Sequence, residues 1–379
     1  MTAFIRSVAL CLAAVASLSG CGAPLKNVQA KGAETSPPAV SRAAIAQGLY
    51  ELAYSEKQGV LFVASAGSFA DETVPTQVLV VDPASLSVIG TIKMPMKAFS
   101  MALDDAGDRL YIGNTGKGAV TVVDTRTRQI LNTFQLVGMV KDEKGRERPE
   151  FHFRELMLDP PHHRLYMLGF DNRQSTLFIV DTRNGRVEKT IPGFGYTATG
   201  IALDAKDSRL YVSNMEGEAL VVDTQADKIV DRFRLGGAEQ PLNLAYDGKR
   251  HRLIAVDQGH PKMRGFQKKD MPGYESKHPG RRVVVIDLAS KKLVAEFPAG
   301  GPVALKLDDT HGRLYISNRM SGEVTVFDAA DYKKLDAISL PDHPNSFALN
   351  GKTGDVFVTV KNGEGASKGA PESLARIRY

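Results

Sequence analysis

Short apolar runs that end in aspartate recur along most of the chain. They consist mainly of Val, Ile, Leu and Phe, the residues that a buried pleated sheet favours. The six copies are residues 77–82, 119–124, 176–181, 218–223, 282–287 and 323–328. Because a terminal aspartate accepts backbone N–H bonds in a tight turn, each run predicts a strand that continues into a hairpin.

Each of these runs belongs to a larger unit of four strands. An apolar run such as RLYIGN, RLYVSN or RLYISN precedes it, and a seventh copy of this second strand, DVFVTV, starts at Asp355. Runs such as SMALD or GIALD open the unit, and runs such as QILNTF or KIVDRF close it. The aspartates lie 42, 57, 42, 64 and 41 residues apart. Four strands at this period predict an all-β fold, a β-propeller of seven blades.

The seventh unit lacks a fourth strand of its own. Residues 373–379, SLARIRY, fit its third strand, with Arg378 in the place of the aspartate. Residues 39–48, AVSRAAIAQG, match the fourth-strand pattern. Closing the ring removes the exposed sheet edges that invite aggregation. We therefore expect the N-terminal strand to complete blade 7.

The first 21 residues resemble a bacterial lipoprotein signal peptide. Arg6 precedes an apolar stretch, residues 8–18, that is too short to span a bilayer. Residues 18–21, LSGC, resemble a lipobox, which implies that residues 1–20 are removed and that Cys21 carries the lipid; an ordinary signal peptide with a chance cysteine is the alternative. We expect a tether over residues 21–37 and the propeller over residues 38–379. This predicts a protein anchored in the periplasm, with the outer membrane favoured because Gly22 follows in place of aspartate.

Composition and motif content favour binding over catalysis. The formal net charge of the 379 residues is only +5. Once Cys11 is removed and Cys21 is lipidated, the mature domain has no thiol for a disulfide, a metal site or a nucleophile. The histidines show no metal-ligand spacing, and a nucleophile elbow and a phosphate-binding loop are missing. We expect no metal, cofactor or catalytic residue; a propeller hydrolase such as a lactonase is the alternative, because distant blades can assemble carboxylates and metals in the channel.

The units resemble the YVTN/NHL-type propeller repeat, with RLYVSN in the place of Tyr-Val-Thr-Asn. The segments at residues 48–65, 153–159, 199–214 and 343–349 look like the matching segments of the YncE family, a group of periplasmic seven-bladed propellers. The likeness covers most of residues 48–379. Members of that family are associated with binding single-stranded DNA, partly by stacking on indole rings. The resemblance implies the same fold and suggests the same ligand, although this sequence contains no Trp.

The long insertions predict which face binds. In a four-stranded blade, the second-to-third connection and the link to the next blade lie on the same face. Every long insertion is of these two kinds: residues 67–77, 137–154, 258–281 and 362–371. Short turns form the other face. Long loops on a rigid scaffold are common binding sites, so we expect the ligand on their face.

The insertion in blade 5 holds most of the predicted ligand-binding residues. Residues 258–282 contain seven basic and two acidic side chains, interleaved with aromatic rings. This pattern suits single-stranded DNA or another polyanion, and it also suits an acidic envelope protein or no ligand at all. We expect a monomer. The predicted residues are Lys262, Arg264, Phe266, Lys268, Lys269, Tyr274, Lys277, Arg281 and Arg282, with Phe151, His152, Arg154, His343 and Asn345 beside the channel mouth.

Overall fold

The structure of the protein, a computed structural model, describes residues 37–379. The compact unit spans Pro38–Tyr379 and consists of seven four-stranded antiparallel sheets. The first strand of each sheet contacts the first strands of its two neighbours, so the sheets form a closed ring around a central channel. The predicted all-β, seven-bladed propeller is therefore confirmed. The predicted signal peptide at residues 1–20, the tether up to residue 36 and the lipid site at Cys21 lie outside the described residues.

Thirty strands and one α-helix make up this unit. In chain order the strands are β1 (Ala39–Ala46), β2 (Leu49–Ser55), β3 (Val60–Ser65), β4 (Gln77–Val81), β5 (Val88–Lys93), β6 (Ser100–Asp104), β7 (Arg109–Asn114), β8 (Ala119–Asp124), β9 (Gln129–Gln135), β10 (Met139–Lys141), β11 (Glu147–Pro149), β12 (His152–Asp159), β13 (Arg164–Phe170), β14 (Thr176–Asp181), β15 (Val187–Pro192), β16 (Gly200–Asp204), β17 (Arg209–Ser213), β18 (Glu218–Asp223), β19 (Lys228–Arg234), β20 (Pro241–Asp247), β21 (Arg252–Asp257), β22 (Arg282–Asp287), β23 (Lys292–Pro298), β24 (Pro302–Asp308), β25 (Arg313–Asn318), β26 (Glu323–Asp328), β27 (Lys334–Ser339), β28 (His343–Leu349), β29 (Val356–Lys361) and β30 (Glu372–Arg378). The helix α1 spans Pro261–Asp270, and a short 3-10 helix spans Pro160–His162.

The blades follow the chain in simple succession. Blades 1 and 2 are β2–β5 and β6–β9, blades 3 to 6 are β12–β15, β16–β19, β20–β23 and β24–β27, and β10 pairs with β11 as a separate hairpin. The aspartate turns form as predicted: Asp124, for example, accepts hydrogen bonds from the backbone N–H groups of Arg126 and Thr127. Within residues 37–379, no helix is long and apolar enough to cross a membrane.

The hydrophobic core lies between the blades. Seven buried clusters are present in the described unit, one at each interface between neighbouring blades. The cluster between blades 3 and 4, for example, includes Leu168, Ile179, Leu210 and Val212. Middle strands are buried on both sides because each faces two neighbouring blades, which explains their nearly continuous apolar runs. Each fully buried aliphatic side chain contributes roughly 1.5–3 kcal/mol.

The N-terminal strand closes the ring as predicted. β1 pairs antiparallel with β30, from Ala39 opposite Arg378 to Ala46 opposite Glu372, and blade 7 has the order β1-β30-β29-β28. Arg378 binds Asp355 through two hydrogen bonds of 2.8 and 2.6 Å. In blade 2 the two charges have exchanged strands: the basic residue, Arg109, starts the second strand, and the acidic residue, Asp124, ends the third strand.

The two ends of the channel differ in their connections. The face with the second-to-third connections and the links between blades is called the long-loop face, and the opposite face is called the short-turn face. The hairpin β10–β11 and the helix α1 both belong to the long-loop face. Ala39 pairs with Arg378 at the end of β30, the third strand of blade 7. Because third strands end at the short-turn face, β1 begins at that face.

Candidate functional site

A cavity of about 260 Å³ opens at the channel mouth on the long-loop face. First strands supply its walls, and the helix α1 and several connections supply its rim. Its lining residues include Tyr50, Glu51, Phe99, Arg154, Gln258, His260, Lys262, Met263, Arg319 and Asn345. The cavity therefore combines aromatic, acidic and basic side chains from blades 1, 3, 5, 6 and 7.

Three aromatic rings cluster on the blade 1 side of this mouth. The centroids of the Tyr50 and Phe99 rings are 4.2 Å apart, and Phe69 meets Tyr50 edge-on at 6.1 Å. The Lys361 ammonium lies 3.9 Å from the centre of the Tyr50 ring. Phe69 is 56% exposed, whereas Tyr50 and Phe99 are half-buried. We call Tyr50, Phe69 and Phe99 the aromatic patch.

Sequence reasoning did not identify the aromatic patch. Its rings come from β2, from the insertion after β3 and from the link between blades 1 and 2, and the ring closure brings them together. Only one signal was available, because Phe69 lies within an insertion that the sequence assigns to the binding face.

Cations face the aromatic patch across the mouth. Lys262 is exposed, and its ammonium lies 5.9 Å from the ring of Phe266. The guanidinium of Arg319 is half-buried and makes no hydrogen bond or ion pair with any residue in 37–379. The pKa of His260 is lowered by burial first and then by the charges of Arg319 and Lys262. The mouth is thus positive on the side of blades 5 and 6.

The blade 5 insertion contains a helix that the sequence did not predict. Pro261 occupies the first turn of α1, where its missing N–H is tolerated, and the His260 side chain accepts a hydrogen bond from the backbone N–H of Lys262. Gln267 is fully buried and donates to the backbone oxygens of Met215 and Glu239 at 2.9 and 2.7 Å. The helix is therefore fastened to the connections around blade 4.

The structure separates the predicted residues of this insertion into two groups. Three of them make internal contacts: Arg264 donates to the backbone oxygen of His278 and lies near Glu239, Tyr274 donates to Glu239 at 2.9 Å, and Arg282 is buried between Asp257 and Glu296. These side chains hold the insertion together. The exposed group consists of Lys262, Phe266, Lys268, Lys269, Lys277 and Arg281.

The predicted residues beside the channel lie in different surroundings. Arg154 lines the mouth and reaches across it to the Leu242 backbone oxygen and the Asn243 side chain. Asn345 lines the mouth as well but is 8% exposed. The His343 ring bonds to the backbone oxygen of Arg319 at 2.8 Å.

The remaining two predicted residues lie away from the mouth. Phe151 packs edge-on against Phe178 at 5.4 Å. His152 lines a separate groove of about 670 Å³ between the hairpin β10–β11 and the end of α1. Burial lowers the pKa of His152, and the nearby charge of Arg148 lowers it further.

Charged side chains also occupy the interior of the channel. Burial raises the pKa of Glu51, which accepts a hydrogen bond of 2.7 Å from Ser346. Burial is also the main cause that raises the pKa of Glu155 to about 7, and the charge of Glu51 adds to it, while Arg154 opposes the shift. Across residues 37–379, no group of three or more His, Cys, Asp or Glu side chains is placed to hold a metal ion.

The fold and this site define a seven-bladed β-propeller with one elaborated face and a charged central channel. The chain is 28% identical over 341 residues to a protein of Salmonella typhimurium described as uncharacterized protein YncE. The aligned residues cover 89% of this chain and 90% of that protein. This chain is 29% identical over 338 residues to the Escherichia coli K12 protein of the same description, with the same coverage. The chain is therefore a homologue of the YncE proteins, which confirms the resemblance predicted from the sequence. No protein-family model matches the chain.

Proposed function

We propose that this protein is a lipid-anchored binding protein of the cell envelope whose long-loop face holds single-stranded DNA, and that it performs no chemistry there. The observation behind the proposal is the aromatic patch, which lies at the channel mouth opposite the unpaired cations of Lys262 and Arg319. Single-stranded nucleic acids are bound by this combination of rings for the bases and cations for the phosphates. The absence of Trp does not oppose the proposal, because Tyr and Phe also offer faces for stacking.

The aromatic patch suits bases of any sequence. Phe69 is the most exposed of its rings; it meets the Tyr50 ring edge-on, and Tyr50 in turn packs against Phe99. A base stacked on such a ring contributes roughly 1–3 kcal/mol. Because every base has an aromatic face, this contribution depends little on the sequence of the strand.

Exposed lysines on α1 extend the site across the face. Lys262, Lys268 and Lys269 make no ion pair with any residue in 37–379. Their charges are therefore free to neutralise phosphates and to release counterions from the strand. The N-terminus of α1, with its partial positive charge, lies at the mouth and adds to the attraction.

The first test changes the three lysines together. Fluorescence anisotropy with a labelled oligonucleotide at two salt concentrations compares the wild type with Lys262→Ser, Lys268→Ser and Lys269→Ser combined. We expect affinity at low salt to fall at least about tenfold and the salt slope to fall by roughly 2, since each phosphate contact on a single strand contributes about 0.7. In the matched control variant, Arg126, Arg186 and Lys206, which are exposed on the short-turn face, are replaced by Ser. Equal binding by the two variants would refute the proposal.

The second test separates DNA from other polyanions. Phe69→Ser is expected to weaken oligonucleotide binding roughly tenfold, from the loss of one stacked base, while binding of heparin stays unchanged. Leu335→Ser is the control, because Leu335 is 53% exposed on the outer strand of blade 6. If both ligands bind the Phe69 variant as well as the wild type, the site recognises charge alone.

The anchor is tested by fractionation of cells. Cys21→Ser is expected to move the protein from the membrane fraction to the soluble periplasmic fraction. A variant that stays with the membranes would contradict lipidation at Cys21.

An envelope protein is the second candidate ligand, and one observation favours it. Five exposed apolar side chains lie on the long-loop face, namely Phe69, Phe266, Met320, Met139 and Val140. Apolar groups of this kind also suit a protein surface. Failure of oligonucleotide binding at low salt, together with capture of an envelope protein that the Phe69 variant does not capture, would establish this alternative.

A further inference from the structure

A second cavity occupies the other end of the channel. Its volume is about 440 Å³, and it opens where the first strands meet the turns of the short-turn face. Leu52, Leu103 and Phe347 contribute apolar wall, and Glu51 and Lys306 contribute charge. Glu51 lines both this cavity and the one at the mouth, so it marks the point between them. The lower cavity is large enough for a small organic molecule.

Lys306 is the unexplained group in this cavity. It is half-buried and makes no hydrogen bond or ion pair with any residue in 37–379, although an ammonium that loses part of its hydration is ordinarily paired. Its pKa is lowered by burial, while the charges of Glu51 and Asp308 act in the opposite direction. Glu51 attracts Lys306 electrostatically, yet the two form no direct ion pair. A gap therefore separates an ammonium and a carboxylate that face the same cavity.

The acidic residues at the rim already have partners. Asp105 accepts from the backbone N–H of Lys57 at 2.9 Å and from the hydroxyl of Ser55. Glu56 accepts from the backbone N–H of Gly351 at 3.1 Å and pairs with Lys352. The groups left to bind a ligand are thus the Lys306 ammonium and the Glu51 oxygen that Ser346 does not contact.

We propose that the lower cavity binds a small zwitterion of the α-amino-acid class. The ligand carboxylate pairs with the Lys306 ammonium, and the ligand ammonium pairs with the Glu51 carboxylate. An apolar side chain packs on Leu52, Leu103 and Phe347. A molecule that carries both charges forms an ion pair with both Lys306 and Glu51, whereas a simple anion or cation pairs with one of them and leaves the other charge uncompensated. This proposal uses neither the aromatic patch nor the lysines of α1, so it does not depend on DNA binding at the mouth.

Three probes with the same branched alkyl group test the site in the wild-type mature protein. Leucine carries both charges, 4-methylpentanoate lacks the amino group, and 3-methylbutylamine lacks the carboxyl group. We expect titration calorimetry at pH 7 to show leucine binding at least about tenfold more tightly than either of the others, because leucine alone can form charge-assisted hydrogen bonds with both Lys306 and Glu51. Absence of leucine binding, or equal binding of the three probes, would overturn the proposal.

Two variants then assign the charges. Lys306→Met should weaken leucine binding at least about tenfold and leave 3-methylbutylamine binding no weaker, while Glu51→Gln should weaken leucine and the amine. Lys334→Met is the matched control, since Lys334 is exposed on the outer strand of the same blade. Leucine binding by the Lys306 variant at wild-type strength would contradict the assignment. If a variant does not fold, the comparison of the three probes in the wild type decides alone.

Discussion

Replacing Gln267 by Leu is expected to release α1 from the propeller without unfolding the blades. Gln267 is fully buried and joins the helix to two backbone oxygens, those of Met215 and Glu239. Its own side-chain oxygen accepts a hydrogen bond of 3.1 Å from Gln240. Leucine has a similar size and a high helix propensity, so the change removes the polar contacts and little else.

The size of the effect follows from these contacts. The two donated bonds contribute about 0.5–1.5 kcal/mol each, and the buried carbonyl of Met215 and the half-buried carbonyl of Glu239, left without donors, add a further penalty. A total of about 3 kcal/mol corresponds to roughly a hundredfold increase in the population of the opened insertion. Since this segment can open while the strands of blade 5 remain paired, the melting temperature should change little.

Hydrogen exchange measured by mass spectrometry checks this prediction. Peptides from residues 258–281 should exchange roughly a hundredfold faster in Gln267→Leu, whereas peptides from β21 and β22 should keep their protection. Lys268→Leu is the control for hydrogen exchange alone, because Lys268 is exposed on the same helix but belongs to the proposed DNA site. Oligonucleotide affinity should fall as well, because the helix lysines are no longer held in place. Unchanged exchange in the Gln267 variant would refute the role assigned to this side chain.

Three further predictions concern the ring and the channel. Deletion of residues 39–46 should lower the melting temperature and cause aggregation in sedimentation experiments, because it exposes the edge of β30; an unchanged melting temperature would contradict closure as a source of stability. Asp355→Arg and Arg378→Asp should each destabilise blade 7, and the double variant should recover most of the lost stability. Thermal unfolding of the wild type, the two single variants and the double variant measures this effect. Additive effects of the two substitutions would show that the pair is not coupled. The pKa of Glu155 is raised to about 7, so ionisation of this carboxyl group destabilises the folded state. As the pH rises from 4.5 to 7, the free energy of unfolding of the wild type should therefore fall by up to ~3 kcal/mol relative to that of Glu155→Gln. A stability difference between the two proteins that does not vary with pH in chemical unfolding would refute that interpretation.

Much of the candidate site could not be predicted from the sequence. The insertion of blade 5 and the face that it occupies could be predicted, because insertion length and charge are local properties. The roles of its residues could not: Arg282 resembles Lys268 in the sequence, but Asp257 and Glu296 surround it in the fold. The helix α1 was missed because its stability comes from Gln267 and the connections it touches rather than from an apolar stripe.

The sequence by itself determined the architecture, because a propeller blade is built from strands that are neighbours in the chain. Alternating strands and aspartate turns repeat locally, and even the closing strand β1 shows the pattern of the other fourth strands. Only the tertiary structure decided which side chains share a site. Tyr50 meets Phe99, and Glu51 faces the same cavity as Lys306, because closure of the ring brings first strands from distant parts of the chain around one channel. Such encounters depend on the radius and register of the whole ring, which no local pattern encodes.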